Sequence, residues 1–173
     1  PEEMLNWIAG AEYADSIGAD IINSSLGYST FDDPADDYSV TDLDGRTSII
    51  SLGALAAART GMLVVTSAGN AGGSSWDKLT FPADADSILT VGSVNQYGVA
   101  SSFSSRGYTL DGRVKPNVCA RGEGAVVYCP DGTLADANGT SFSSPIMAGA
   151  AACLWSTVPD ATAQEVIEAL EIS

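Results

Sequence analysis

The chain has 173 residues, 22 of them acidic, 7 basic and none histidine, for a formal net charge of −15. So acidic a balance excludes nucleic acid and anionic membrane surfaces as natural partners, because both are bound through cationic patches. Hydrophobic residues make up 45%, which suits one domain with a real core and not a disordered chain, and no apolar run approaches the roughly 20 residues that span a bilayer.

In chain order, Pro1-Glu2-Glu3-Met4 has no leader-like character and reads as a cut end. From Glu2 to Ile17, Met4, Leu5, Ile8, Ala11 and Ala14 recur at helical spacing, and Gly18 ends the pattern. Ala19 to Asn23 reads as a short strand leading into Ser25-Leu26-Gly27. At about 28–46 six aspartates (32, 33, 36, 37, 42 and 44) crowd an exposed loop longer than most connections in compact domains. Its carboxylates suit either calcium or plain solvation, and Asp42-Leu43-Asp44-Gly45 lacks the ligand spacing of an EF-hand. A helix from Thr47 to Thr60, stopped by Gly61, and a buried strand from Met62 to Val65 follow. Strand, helix, strand implies a right-handed parallel crossover. Ile88 to Val94 is a third buried strand and Ser101 to Gly107 a polar loop. Gly124 to Tyr128 and Gly132 to Ala135 are short strands, and the capping box Thr162-x-x-Glu165 opens an amphipathic terminal helix with Val166, Ile167 and Leu170. Cys119 and Cys129 flank a hairpin or loop and are free to pair or not, while Cys153 reads as a small core residue. Three cysteines without a histidine do not make a metal site.

The chemistry concentrates in Asn138-Gly139-Thr140-Ser141-Phe142-Ser143-Ser144-Pro145, followed by the apolar run Ile146 to Trp155. A helix apolar almost all round is a buried one. Ser141 falls at its N-terminus, where unpaired N–H groups and the positive end of the macrodipole converge. A hydroxyl there is either an N-cap or a nucleophile whose product oxyanion the N–H groups receive. The segment does not fit a Gly-x-Ser-x-Gly elbow, since position 143 is serine. A second small-residue turn, Thr66-Ser67-Ala68-Gly69-Asn70-Ala71-Gly72, stands at the carboxyl end of a strand, where ligands bind in open parallel sheets. Asn70 there is either a turn residue or a side-chain donor.

Gly139-Thr140-Ser141 with Pro145 and Ala148-Gly149, Ala68-Gly69-Asn70, and Ser25-Leu26-Gly27 stand in the order found in the subtilisin-like serine proteases, the subtilases, and the chain resembles that family along nearly its whole length. It departs at Cys119-Ala120-Arg121, where acidic or small apolar residues are more usual. The resemblance implies a three-layer α/β fold, a mostly parallel sheet flanked by helices and incomplete on its N-terminal side. It casts Ser141 as nucleophile, Asn70 as oxyanion donor, and Ser25, Leu26, Gly27, Ser67, Ala68 and Gly69 as the substrate-binding walls, whose short side chains imply a roomy cleft. The family's base is a histidine oriented by an aspartate, both preceding the serine. Residues 1–173 then form the C-terminal part of one catalytic domain, the 28–46 loop being an insertion, and the piece is inactive alone and prone to dimerise. The resemblance further implies a polypeptide substrate, no required cofactor, and a secreted or cell-envelope setting. Three other readings stay open: a pseudo-protease acting as a binding module, an unrelated α/β domain in which Ser141 and Asn70 are only caps, and a Ser–Lys dyad using Lys78 or Lys115.

Overall fold

The computed structural model describes residues 2–173. In chain order it builds α1 (Glu2–Ser16), β1 (Ile21–Ser24), α2 (Ile49–Arg59), β2 (Leu63–Ser67), β3 (Leu89–Val94), β4 (Gly107–Tyr108), β5 (Val114–Lys115), β6 (Val118–Arg121), β7 (Ala125–Tyr128), β8 (Leu134–Ala137), α3 (Thr140–Thr157) and α4 (Ala163–Glu171). Strands β1, β2, β3 and β6 lie side by side in that order, every neighbouring pair parallel. Ile21 stands opposite Leu63, Val65 opposite Leu89, and Val91 opposite Val118.

A parallel sheet is covered on both faces, so its central strands read as continuous apolar runs. Strand β2 is buried at all five positions. The pleat sends Leu63 and Val65, with Leu89, Val91 and Ala120, to one face, against Ala148 and Ala151 of α3 and Val166 and Ile167 of α4. Val64 goes to the other face, among Ala11 of α1 and Ala54 and Ala57 of α2. Helices α1 and α2, the sheet, and α3 with α4 are therefore three layers, the α/β architecture expected from the sequence. The capping box forms in full at the start of α4, where Thr162 N–H donates to Glu165 Oε2 at 2.7 Å and Glu165 N–H to Thr162 Oγ1 at 3.3 Å.

Four features depart from the sequence reading. Strand β6 is not anticipated: only Ala120 of its four residues is buried, so it lacks the apolar run that marks an inner strand. The loop at 28–46 is not simply exposed. Phe31 and Tyr38 pack with Phe81, Tyr38 and Phe81 having centroids 4.4 Å apart, and Leu43 is 1% exposed. Helix α3 is buried only along a stripe of Thr140, Ser143, Ser144, Ala148 and Ala151. A helix lying on one sheet presents one such stripe to it, and Pro145, Ile146, Ala150 and Cys153 face outward. Cys153 is thus exposed, not a core residue, and Cys119, Cys129 and Cys153 are all free thiols.

Candidate active site

Two adjacent parallel strands and one helix deliver the site. Ser25 to Gly27 leave the carboxyl end of β1, Ser67 to Asn70 that of β2, and Thr140 and Ser141 are the first two residues of α3. Gly139, the N-cap of α3, has φ +154°, a conformation glycine adopts freely. Ser25, Gly27, Ser67, Gly69, Asn70, Thr80, Thr140 and Ser141 line one cavity of about 120 Å³.

The orientation of Asn70 follows from its partners. Its Oδ1 accepts from the backbone N–H of Thr140 at 2.8 Å and from Thr140 Oγ1 at 3.0 Å. A backbone N–H can only donate, so the carbonyl end of the amide must face it. The Nδ2 end is then left for a ligand. Thr140 Oγ1 in turn accepts from Gly69 N–H at 3.2 Å, so one hydroxyl ties the β2 turn to the helix start and holds the amide. Thr140 goes unassigned in the sequence reading, although its place directly before Ser141 is the signal that could have found it.

Ser141 is half-buried. Its N–H is one of the unpaired donors of the first turn. Its carbonyl is freed as well, because Pro145, four residues on, has no N–H to give. Ser25 Oγ supplies the missing bond, donating to Ser141 O at 3.0 Å. Ser141 Oγ lies 3.4 Å from Ser25 O, too long for a good O–H···O bond, so the hydroxyl is only weakly held. Ser144 Oγ donates to Asn23 Oδ1 at 2.7 Å and pins the next turn of the helix to β1.

Six of the expected site residues, Ser141, Asn70, Ser25, Gly27, Ser67 and Gly69, come together in this cavity. Ala68 does not line it. Its side chain is fully buried among Met4, Ile50, Leu79 and Phe81 on the inner side of the turn. Leu26 is half-exposed and lines a neighbouring groove with Glu3, Asn6, Trp7 and Tyr28. The cleft is not roomy, because Thr80, which the sequence gives no reason to select, fills its inner end.

Neither lysine adjoins Ser141. The buried Lys115 ammonium donates to Ile88 O at 2.9 Å and Asn117 Oδ1 at 2.8 Å, in a separate cavity with Asp86, Arg113 and Glu171. Burial pushes its pKa down to about 8. Lys78 lies beside Gly107. In the 28–46 loop, aspartates accept from nearby backbone N–H groups: Asp33 from Ala35, Asp37 from Phe31, Asp42 from Ser39, and Asp44 from Arg46 and Thr47. Among the described residues no group of three or more histidine, cysteine or acidic side chains is placed to hold a metal ion.

The fold is thus a three-layer α/β one with a parallel sheet, a serine at the mouth of the crossing helix and a carboxamide held beside it at the carboxyl end of the neighbouring strand. The Subtilase family model matches residues 3–173, and the chain belongs to that family. It is 35% identical to subtilisin DY of Bacillus licheniformis over 160 residues, 92% of this chain and 51% of that protein. To subtilisin E of Bacillus subtilis (strain 168) it is 36% identical over 170 residues, 97% of this chain and 39% of the other. The self-cleaved protease domain of PatA superposes with a TM-score of 0.73 at 27% identity, covering 95% of this chain and 57% of that one. For the prenylagaramide maturation protease PagA the values are 0.72, 25%, 96% and 56%. The chain thus spans about half the length of its relatives or less. Among the described residues no helix is long and apolar enough to cross a membrane.

Proposed function

We propose that the protein carrying this chain is a serine endopeptidase that cleaves polypeptides through an acyl-enzyme. Ser141 Oγ attacks the scissile carbonyl carbon and gives its proton to a base. The oxyanion that forms is met by Asn70 Nδ2–H and the Ser141 N–H. As the tetrahedral adduct collapses, the carbon–nitrogen bond breaks, the base returns the proton to the leaving amine, and water later hydrolyses the ester. Ser25, Gly27, Ser67 and Gly69 flank the substrate. The charge that develops is met by two N–H donors, so this chemistry calls for no metal. The observation that carries the reading is the fixed amide of Asn70, held by Thr140 with its donor end free beside Ser141.

The chain contains no histidine. We take the base and its orienting aspartate to come from residues outside these 173, as the order of the family's catalytic residues implies. In a subtilisin, removal of the histidine costs about a millionfold in turnover, a figure belonging to that relative. By itself this chain is therefore practically inactive. A secreted or cell-envelope setting is carried over from the family alone. The test is a fluorophosphonate probe followed by peptide mapping. Ser141 should be labelled in the full-length protein and barely in the isolated chain. A full-length protein that leaves Ser141 unlabelled would instead support a pseudo-protease acting as a binding module.

A further inference from the structure

Thr140 fixes which end of the Asn70 amide faces the helix, but where that amide stands depends on the backbone of Asn70, which lies in an exposed turn. We infer that Ser105, fully buried in the polar loop after β3, is the positioning residue that sets the direction in which Asn70 projects. It does not line the Ser141 cavity and acts on the oxyanion only through Asn70. The inference rests on the peptidase reading and deepens it.

The geometry of the peptide unit carries the argument. Each peptide group is planar, so the backbone at Asn70 is settled once the two planes on either side of its Cα are fixed. The plane before it contains the carbonyl of Gly69, and Ser105 N–H donates to that oxygen at 2.9 Å. The plane after it contains the N–H of Ala71, which donates to Ser105 Oγ at 3.0 Å. One residue therefore grips both planes, the first through its backbone and the second through its side chain. With both held, the bond from Cα to Cβ of Asn70 has a single direction. Thr140 holds the far end of the same side chain, so the amide is fixed at its root by Ser105 and at its tip by the helix.

A grip of this kind works only if it is itself immobile. Ser93 N–H of β3 donates to Ser104 Oγ at 3.0 Å, and the hydroxyls of Ser93 and Ser101 lie 2.8 Å apart. Ser101 N–H donates to Ser93 O at 2.9 Å and Ser104 N–H to Ser101 O at 3.0 Å. The loop is thus tied to the centre of the sheet immediately before Ser105. On the other side, Gly72 N–H donates to Phe103 O at 2.8 Å. A Cβ at Gly72 would fall 2.6 Å from the carbonyl oxygens of both Ser102 and Ser104, so the turn lies against this loop as closely as only glycine permits.

The experiment uses the full-length protein and a peptide substrate. Losing an oxyanion donor altogether costs about 10²–10³-fold in a subtilisin, a figure belonging to that relative. A donor present but misdirected should cost less: Ser105→Ala should lower kcat about tenfold and leave KM within about twofold, because the oxyanion exists only in the transition state. In the Asn70→Ala background, which has no carboxamide to aim, Ser105→Ala should cost less than about twofold. Ser105→Cys, which keeps the volume and offers only a weak acceptor, should show the same split, so a folding defect in one variant does not decide the outcome. A second readout needs no turnover. In the Ser141→Ala protein, the side-chain amide NMR signal of Asn70, assigned by its loss in Asn70→Ala, should shift or broaden when Ser105→Ala is added. Equal costs of Ser105→Ala with and without Asn70, or a loss carried by KM, would show that Ser105 merely supports the fold and would leave the peptidase reading intact. Absence of cleavage by the wild type sinks the peptidase reading, and the Asn70 signal then judges Ser105 alone: unmoved, it overturns the positioning role.

Discussion

Pro145 and Ser25 make one device. The proline withholds the N–H that would have bonded Ser141 O, and the serine hydroxyl supplies it from β1 at 3.0 Å. Ser25→Ala should therefore leave that carbonyl short of a partner and cost about 1 kcal/mol. In the Pro145→Ala background the helix can make its own bond, so the cost of Ser25→Ala should shrink there by at least about 0.5 kcal/mol. Urea unfolding of the full-length protein and its three variants reads this directly. Additive effects would mean that the two residues are not coupled. Thr140 offers a kinetic test. Thr140→Val removes one of the two donors on Asn70 Oδ1 and the acceptor of Gly69 N–H, so kcat should fall about tenfold while KM moves little. Asn70→Ala should cost more, about 10²–10³-fold, a magnitude that belongs to a subtilisin and not to this chain. Equal losses in both variants would contradict the positioning role. Ser141 and Asn70 are legible in the sequence because each sits in a short motif at a strand or helix end. Thr80 is not, because it fills space between two glycines distant from it in sequence, which no local pattern reveals.

Among the elements, legibility tracks how much local sequence decides the outcome. Helices α1, α2 and α4 follow from spacing and end signals, and β2 and β3 from apolar runs. Strand β6 is set by pairing to β3 and by packing of Ala120 against α3, and the 28–46 loop by aromatic contacts with Phe81; both decisions are made at long range. Lys115 belongs to this scale because it joins elements. Its ammonium bonds Asn117 Oδ1, which also takes Thr90 N–H of β3, while Asn117 Nδ2 donates to Glu171 of α4 at 2.6 Å. Its pKa is lowered to about 8 from 10.5, first by burial and then by Arg113, against the opposing pull of Asp86, Glu171 and Asp84. The folded protein then gives up this proton before the unfolded chain does. Between about pH 8 and 10.5 the unfolded state binds more protons, so this group makes stability rise with pH. Between pH 7.5 and 9.5 the stability of wild type relative to Lys115→Met should increase by roughly 2 kcal/mol. Other groups titrating there cancel in the difference. A flat difference would mean that Lys115 is not held as a buried ammonium.

At the scale of the whole molecule, β1 is an edge strand, although parallel sheets bury their strands on both faces and expose few edges of this kind. Beside it the outer side of α3 shows Ile146, at 51% exposure, together with Ala150 and Cys153. A depression of about 400 Å³ lined by Ile21, Ala152 and Trp155 runs along the join. An open parallel edge and an uncovered apolar helix face adjoin here, and the peptidase proposed above needs a base that these 173 residues, without a histidine, do not supply. A single added segment answers all of them if it extends the sheet at β1, covers α3 and brings a histidine to Ser141. The isolated 173-residue chain should accordingly self-associate at tens of micromolar and bind an apolar dye. It should also melt roughly 6–12 °C below the full-length protein, since about 3 kcal/mol of lost packing shifts a domain of this size by about 2–4 °C per kcal/mol. Light scattering and calorimetry decide it. A monomer with the melting temperature of the full-length protein would show that the β1 edge needs no cover, and the base would then have to reach Ser141 by another route.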